Sequence, residues 1–184
     1  TFSPTWFDKD IVSLQNEYRQ ANKNSNFLAD FGFVNGYKNN NRSHLFTNYT
    51  LDLNLKKFNT SNLFFGVEQV SNDTYLRVFG PYMSNAASKF KNVSSMNNQV
   101  KLSLSNEDYN FTSGFNIYEN LNGKKNSDRY QYILPHYGFD TVLTDKFFDG
   151  SISLSSSGSN NLKNTNNLTS NITNNINYTS TSYI

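Results

Sequence analysis

The chain has 184 residues, 16 Lys and Arg against 14 Asp and Glu, a net charge of +2 and no Cys. A near-neutral balance without basic blocks argues against a nucleic-acid binder, and the lack of Cys excludes a disulfide framework and a thiolate metal site. No run approaches the ~18 consecutive apolar residues of a membrane-spanning helix.

Aromatic residues make up 16% of the chain, with 16 Phe and 12 Tyr, while charged residues make up only another 16%. Asn is roughly a sixth of the residues, far above ordinary usage. Low hydropathy with much Asn, Ser and Thr is also the composition of disorder. The aromatic content and a clear period of two oppose that reading. A soluble core built mainly from Phe and Tyr would have many hydroxyls to satisfy. Strands with one apolar and one wet face avoid this.

The alternation begins in residues 10–20, where Val12, Leu14 and Tyr18 oppose Ser13, Gln15, Glu17 and Arg19. In 25–34, Phe27, Ala29, Phe31 and Phe33 share a face. In 43–56, Leu45, Thr47, Tyr49, Leu51, Leu53 and Leu55 oppose His44, Phe46, Asn48, Thr50, Asp52, Asn54 and Lys56. A helix would scatter these leucines; a strand collects them. Leu63, Phe65 and Val67 follow, then a strand over 74–79. Val100, Leu102 and Leu104 come next, then Tyr109, Phe111, Phe115 and Ile117, then 130–134, then Ile152 and Leu154. Leu168, Ile172, Ile176 and Tyr178 close the series.

Turn signals at Asn35-Gly36, 38–41, 59–62, 122–128, 156–161 and 164–167 separate the runs. The stretch 81–98 reads as a longer polar loop or a broken strand. Pro4, Pro81 and Pro135 each mark a strand end or bulge, since proline cannot donate to a ladder. The result is an all-β chain, an antiparallel up-and-down meander of about nine or ten strands, forming one domain over residues 1–184. The opening residues carry neither the basic nor the apolar region of a signal peptide. The pattern also starts and stops in mid-course, so the chain is read as a fragment.

Three features favour a transmembrane barrel over a soluble sandwich. The polar face is mostly uncharged amide and hydroxyl, which suits a wet lumen. Tyr18, Tyr37, Tyr75, Tyr82, Tyr109 and Tyr178 fall near strand ends, where barrels carry aromatic girdles. Strands of roughly 9–11 residues match a tilted span of the bilayer. Candidate lumen-facing residues are Ser13, Gln15, Glu17, Arg19, Asn48, Thr50, Asp52 and Asn54. Candidate lipid-facing residues are Phe27, Phe31, Phe33, Leu51, Leu53, Phe111 and Ile117.

No catalytic constellation, cofactor motif or metal-ligand spacing stands out. His44 and His136 fall on different predicted strands and read as ordinary polar positions. An outer-membrane phospholipase chemistry would need a Ser/His pair, and His136 with Ser151 or Ser153 is too loose. Glu17 and Arg19 read either as a lumen-lining charge pair or as a cross-strand ion pair, the second favoured. Asn72 and Asp73 read as a turn. Lys124, Lys125 and Arg129 read as a solvated turn, or as contacts to lipid phosphates if that loop lies outside. Asn-x-Ser/Thr triplets such as Asn110-Phe111-Thr112 and Asn167-Leu168-Thr169 follow from composition and are not read as glycosylation sites.

Several segments resemble the LptD (OstA/Imp) family of lipopolysaccharide-assembly outer-membrane proteins in its alphaproteobacterial form. Thr1-Phe2-Ser3-Pro4-Thr5, followed by Glu17-Tyr18-Arg19, is similar to that family's "T-x-T-P … EYR" stretch. Ser71-Asn72-Asp73-Thr74-Tyr75-Leu76 is similar to "S-D-D-T-Y-L". Arg129-Tyr130-Gln131-Tyr132-Ile133-Leu134-Pro135 resembles "P-x-x-L-P", and Asn164-Thr165-Asn166-Asn167-Leu168 stands where "D-T-Q-R-L" is frequent. The order is collinear over nearly the whole chain. Asp10 departs from a usual Gly, and Asn166 from a usual Arg.

The resemblance implies a barrel on the order of two dozen strands, of which this chain is part of the N-terminal half. The periplasmic jellyroll domain, the first strand and the C-terminal strands would lie outside it. It further implies a non-enzymatic conduit in the Gram-negative outer membrane. Lipopolysaccharide would come from a periplasmic bridge protein, an LptE-like lipoprotein would plug the barrel, and outer-membrane lipid would surround it. Alternatives are another outer-membrane barrel, a porin or receptor, or a secreted β-rich carbohydrate-binding protein. A constriction loop or plug segment would mark the porin or receptor, and neither is visible in the sequence.

Overall fold

A computed structural model describes residues 1–83, 92–124, 129–164 and 166–180. Ten strands form one antiparallel sheet in which every strand pairs with its sequence neighbours. They are β1 (Phe2–Asp8), β2 (Ile11–Ala21), β3 (Ser25–Asn35), β4 (Arg42–Asp52) and β5 (Thr60–Val70). After α1 (Tyr75–Phe79) and a 3-10 turn (Gly80–Tyr82) come β6 (Ser95–Ser105), β7 (Tyr109–Asn120), β8 (Tyr130–Phe147), β9 (Gly150–Lys163) and β10 (Asn167–Ser180). β1 and β10 do not pair with each other, so the sheet is open.

The register turns alternation into two unlike faces. Tyr49, Phe65, Val100 and Phe115 stand opposite one another across β4 to β7 on the outer face. Arg19, Leu28, Asn48, Gly66, Gln99 and Asn116 form a parallel row on the inner face. Single slips would swap the faces of a whole strand, and the apolar pattern specifies against them.

No second sheet covers the outer face among the described residues. Leu14, Phe31, Phe65, Phe115, Leu168, Ile172 and Ile176, all outer-face residues, remain between 38% and 71% exposed. Burying such a side chain fully is worth ~1.5–3 kcal/mol, so in water this surface forgoes much of its stabilisation. The buried apolar cluster lies elsewhere. Leu76, Phe79 and Met83 pack with Val34, Phe46, Met96 and Leu121, and Phe7, Ile11, Tyr37 and Val70 close around them. Side chains from β1 to the end of β7 thus converge on α1, which requires the sheet to curl around it.

The connections follow from local chemistry. Asn and Asp accept hydrogen bonds from backbone amides two residues on, as Asn72 does from Thr74, Asn106 from Asp108 and Asn120 from Asn122. Gly36 has φ 86, and a Cβ there would stand 1.8 Å from the Asp10 carbonyl oxygen, so only glycine fits. Phe148 and Asp149 both have positive φ and join β8 to β9, the two-residue geometry that matches strand twist.

Four expectations are corrected. Residues 74–79 are a helical turn and not a strand: Tyr75, Leu76 and Phe79 are buried together, the spacing of one helix face. Residues 156–161 are the middle of β9 and not a turn, because β8 and β10 flank them on both sides. The strand expected over 130–134 continues to Phe147, with the register shift between Ile133 and His136 absorbing Pro135. Leu53 and Asn54 lie beyond the end of β4, where Asn54 has φ 49, so neither belongs to a face of that strand. Pro4 sits within β1, an edge strand, where a missing donor is tolerated.

Candidate functional site: the inner face and its helical segment

The turns at 22–24, 53–59, 106–108 and 148–149 lie at one end of the sheet, and the longest connection, 71–94, lies at the other. Its first part folds onto the inner face. Asn72 and Thr74 each accept a hydrogen bond from the Arg42 guanidinium, at 3.2 and 3.1 Å. Arg42 also sits 4.7 Å from the Tyr37 ring centroid, a cation–π geometry.

Asp73 pairs with Arg129 at 2.8 Å, and Arg129 reaches Glu119 at the same distance. Arg129 is 8% exposed. Its hydrogen bond to Asp73 raises its pKa further; burial opposes this and the Glu119 charge adds to it. The solvated-turn reading of Arg129 is therefore overturned, and so is its availability to lipid phosphates. Lys124 is exposed, and Lys125 lies outside the described residues.

A buried polar chain holds Tyr75. Its hydroxyl lies 2.8 Å from Nδ1 of His44, whose Nε2 faces Asp30 Oδ1 at 3.4 Å. Gln15 Nε2 donates to both Asp30 oxygens, at 3.2 and 3.1 Å. Tyr75, His44 and Asp30 are at most 2% exposed. Burial first, and the Asp30 charge second, push the Tyr75 hydroxyl well above the ordinary tyrosine value. The neutral phenol can donate to Nδ1, leaving the Nε2 proton to face Asp30.

Ser13, Gln15, Glu17, Arg19, Asn48, Thr50 and Asp52 share this inner face by register. Phe27, Phe31, Phe33, Leu51, Phe111 and Ile117 share the outer one. Glu17 and Arg19 pair directly, but along β2 and not across strands. Arg19, Leu28, Asn48 and Thr50 line an inner-face cleft of about 420 Å³ near the tight turns. Asn110, Asp140, Ser153, Ser155 and Asn177 line another of about 330 Å³. Asp30 and Arg42 were not singled out from the sequence, although a carboxylate between Ala29 and Phe31 in mid-strand was a signal; Tyr75 was read as a strand-end girdle residue and is instead buried in α1 against His44. His44 was read as an ordinary polar position.

The outer face carries an aromatic ribbon. Tyr18, Phe27, Tyr49 and Phe65 follow one another across β2 to β5 with ring centroids 6.0, 6.4 and 6.3 Å apart. Tyr109 lies against Phe58 and Phe139, and Phe147 against Phe148 and Tyr178. Most of these rings stand toward the tight-turn end. Among the described residues no three His, Cys, Asp or Glu are grouped to hold a metal ion. Among the described residues no helix is long and apolar enough to cross a membrane. No family model, no curated protein and no solved structure matches the chain.

Proposed function

We propose that this chain is part of the wall of a Gram-negative outer-membrane β-barrel that delivers lipopolysaccharide to the outer leaflet. The observation that carries the barrel reading is the pairing of an uncovered apolar face with a polar, hydrogen-bonded opposite face on ten consecutive hairpin-linked strands. In lipid, an apolar outer face costs nothing to leave uncovered by protein. A hydrocarbon layer demands that every backbone group be paired; β2 to β9 are paired on both sides, and β1 and β10 would be so only against further strands of the same wall. The aromatic ribbon toward the tight-turn end fits an interfacial girdle, and an end whose connections are mostly two or three residues, opposite an end that carries 36–41, 71–94 and 121–129, fits periplasmic and extracellular sides respectively.

The lipopolysaccharide assignment rests on the collinear resemblance to the LptD family and on the chemistry of the inner face. β9 and β10 present Ser153, Ser155, Ser157 and Ser159 opposite Asn177, Asn175, Thr173 and Asn171. Such a hydroxyl and amide surface hydrogen-bonds sugars without fixing one of them. An amphiphile's saccharide would take the wet side while its acyl chains meet the membrane. An LptE-like plug and a periplasmic bridge protein are the partners this reading requires, and no chemical step is assigned to the chain.

The in-folded helical segment favours a second reading, a porin-like channel with a constriction. No constriction was legible in the sequence.

The test is fractionation of the full-length parent protein, with heat-modifiable gel migration, followed by its depletion. Recovery in the outer membrane with a heat-dependent shift, and loss of surface lipopolysaccharide on depletion, support the proposal. An outer-membrane protein whose depletion alters solute uptake but not surface lipopolysaccharide favours the channel. A soluble, heat-insensitive species overturns both.

A further inference from the structure

The residues that enter the inner face do so in an unbroken row. Asn72 and Thr74 bind Arg42 of β4, Asp73 binds Arg129 ahead of β8, and Tyr75 binds His44 of β4. Leu76, Phe79 and Met83 then fill the cluster beneath, and Phe79 and Tyr82 meet Phe7 of β1 edge-on. A connection needed only to join β5 to β6 has no reason to bind β1, β4 and the β7–β8 connection at once.

We propose that residues 72–83 are a closing strap across the long-connection end of the inner face, with Asp30–His44–Tyr75 as its catch. The proposal rests on the reading of the inner face as a lumen.

The catch is polar where an apolar plug would bind as well. Buried polar networks add little net stability over well-packed apolar groups, but their directional contacts favour a single arrangement. Each hydrogen bond holds the closed form by a factor on the order of two to ten. Losing one therefore shifts the population measurably without unfolding the sheet. The geometry also supplies a way to break the catch without substituting a strap residue. A Cβ added at Gly32 would stand 2.2 Å from His44 Cε1 and 3.1 Å from the Tyr75 hydroxyl. The imidazole would have to leave its position between Asp30 and Tyr75.

The experiment uses the full-length parent in lipid bilayers, as wild type, Tyr75→Phe and Gly32→Ala. Tyr75→Phe deletes the hydroxyl and keeps the ring against Phe79, 5.3 Å between centroids. Amide exchange is read on peptides covering 75–83, where the Val78 and Met83 amides are hydrogen-bonded, and ion conductance is read across planar bilayers. The expected result is slow wild-type exchange in the strap, comparable with β3 and β4. Both variants should exchange there two- to tenfold faster and conduct more.

Wild-type strap peptides exchanging at the rate of an exposed loop would overturn the proposal, and this arm decides even where a variant fails to fold. Variants that insert with wild-type heat-modifiable mobility, yet leave exchange and conductance unchanged, would also overturn it. A parent that never enters the membrane refutes the barrel reading instead, while its strap exchange still reports on the catch.

Discussion

Replacing Phe115 with Arg tests the proposed orientation of the sheet at one residue. Phe115 stands in the middle of β7 on the outer face, 47% exposed, opposite Val100. Its neighbour Asn116 faces inward opposite Gln99, within 3.4 Å of His136. In a bilayer, Arg near the midplane of a barrel's outer face costs ~2–4 kcal/mol, a factor of roughly 30 to 1,000 in the folding equilibrium. In water a half-exposed Phe exchanged for Arg costs little, within about 0.5 kcal/mol for a surface position. Phe115→Ala separates the lost ring from the added charge. The assay is urea-dependent folding of the full-length parent into vesicles, read by heat-modifiable mobility, alongside Asn116→Arg. The expected order is a large loss for Phe115→Arg, a smaller one for Phe115→Ala and little for Asn116→Arg. Equal, small effects of the two Arg substitutions would refute the two-faced reading.

Other outcomes are expected. Because burial raises the Tyr75 hydroxyl above its ordinary value of 10.0, with Asp30 adding to it, its contribution to strap closure is intact below that value. Closure weakens as pH climbs past it, since the released strap ionises first; ultraviolet titration of Tyr75→Phe should then lose one late-titrating phenol, and an unchanged curve would contradict this. Arg129→Ala removes the cation shared by Asp73 and Glu119 and should cost on the order of 2–3 kcal/mol, the low side for a buried ion pair because both carboxylates are partly exposed; denaturant titration measures it, and a loss below about 0.5 kcal/mol, the range of ordinary surface changes, would argue against a structural role for the Asp73–Arg129–Glu119 group. Residues 1–184 alone should aggregate in detergent-free buffer, because β10, exposed along its length and paired on one side only, offers an open edge, and Ile172→Lys with Ile176→Lys should reduce light scattering; a monodisperse unaltered segment would count against it.

The alternation of β2, β3 and β4 was legible because each has an apolar outer residue at every second place and few interruptions. β9 was expected to end soon after Leu154 because Ser156, Ser157, Gly158 and Ser159 carry no apolar signal. Pairing on both sides makes them strand, and Gly158 lies under the Tyr137 ring, where a Cβ would stand 2.5 Å from it. α1 was misread because five residues are too few to tell a helical period from alternation. Which residues share a face of the sheet was legible from the period alone, apart from Leu53 and Asn54. The Asp30–His44–Tyr75 chain was not, since its members meet only after β3 and β4 pair and a segment more than 30 residues away folds back.

A meander of hairpins is nearly one-dimensional: each strand depends on its immediate neighbours, and such chains fray from their ends or melt piecemeal. The Asp73–Arg129 pair joins residues 56 apart, and Tyr75–His44 joins residues 31 apart. These long-range ties make the hairpins between β3 and β8 thermodynamically interdependent. The strap can dock only after both flanking hairpins exist, so its arrival comes late in folding and serves as a checkpoint on assembly. Unfolding that begins at β10 should therefore halt near β8 until those ties give way.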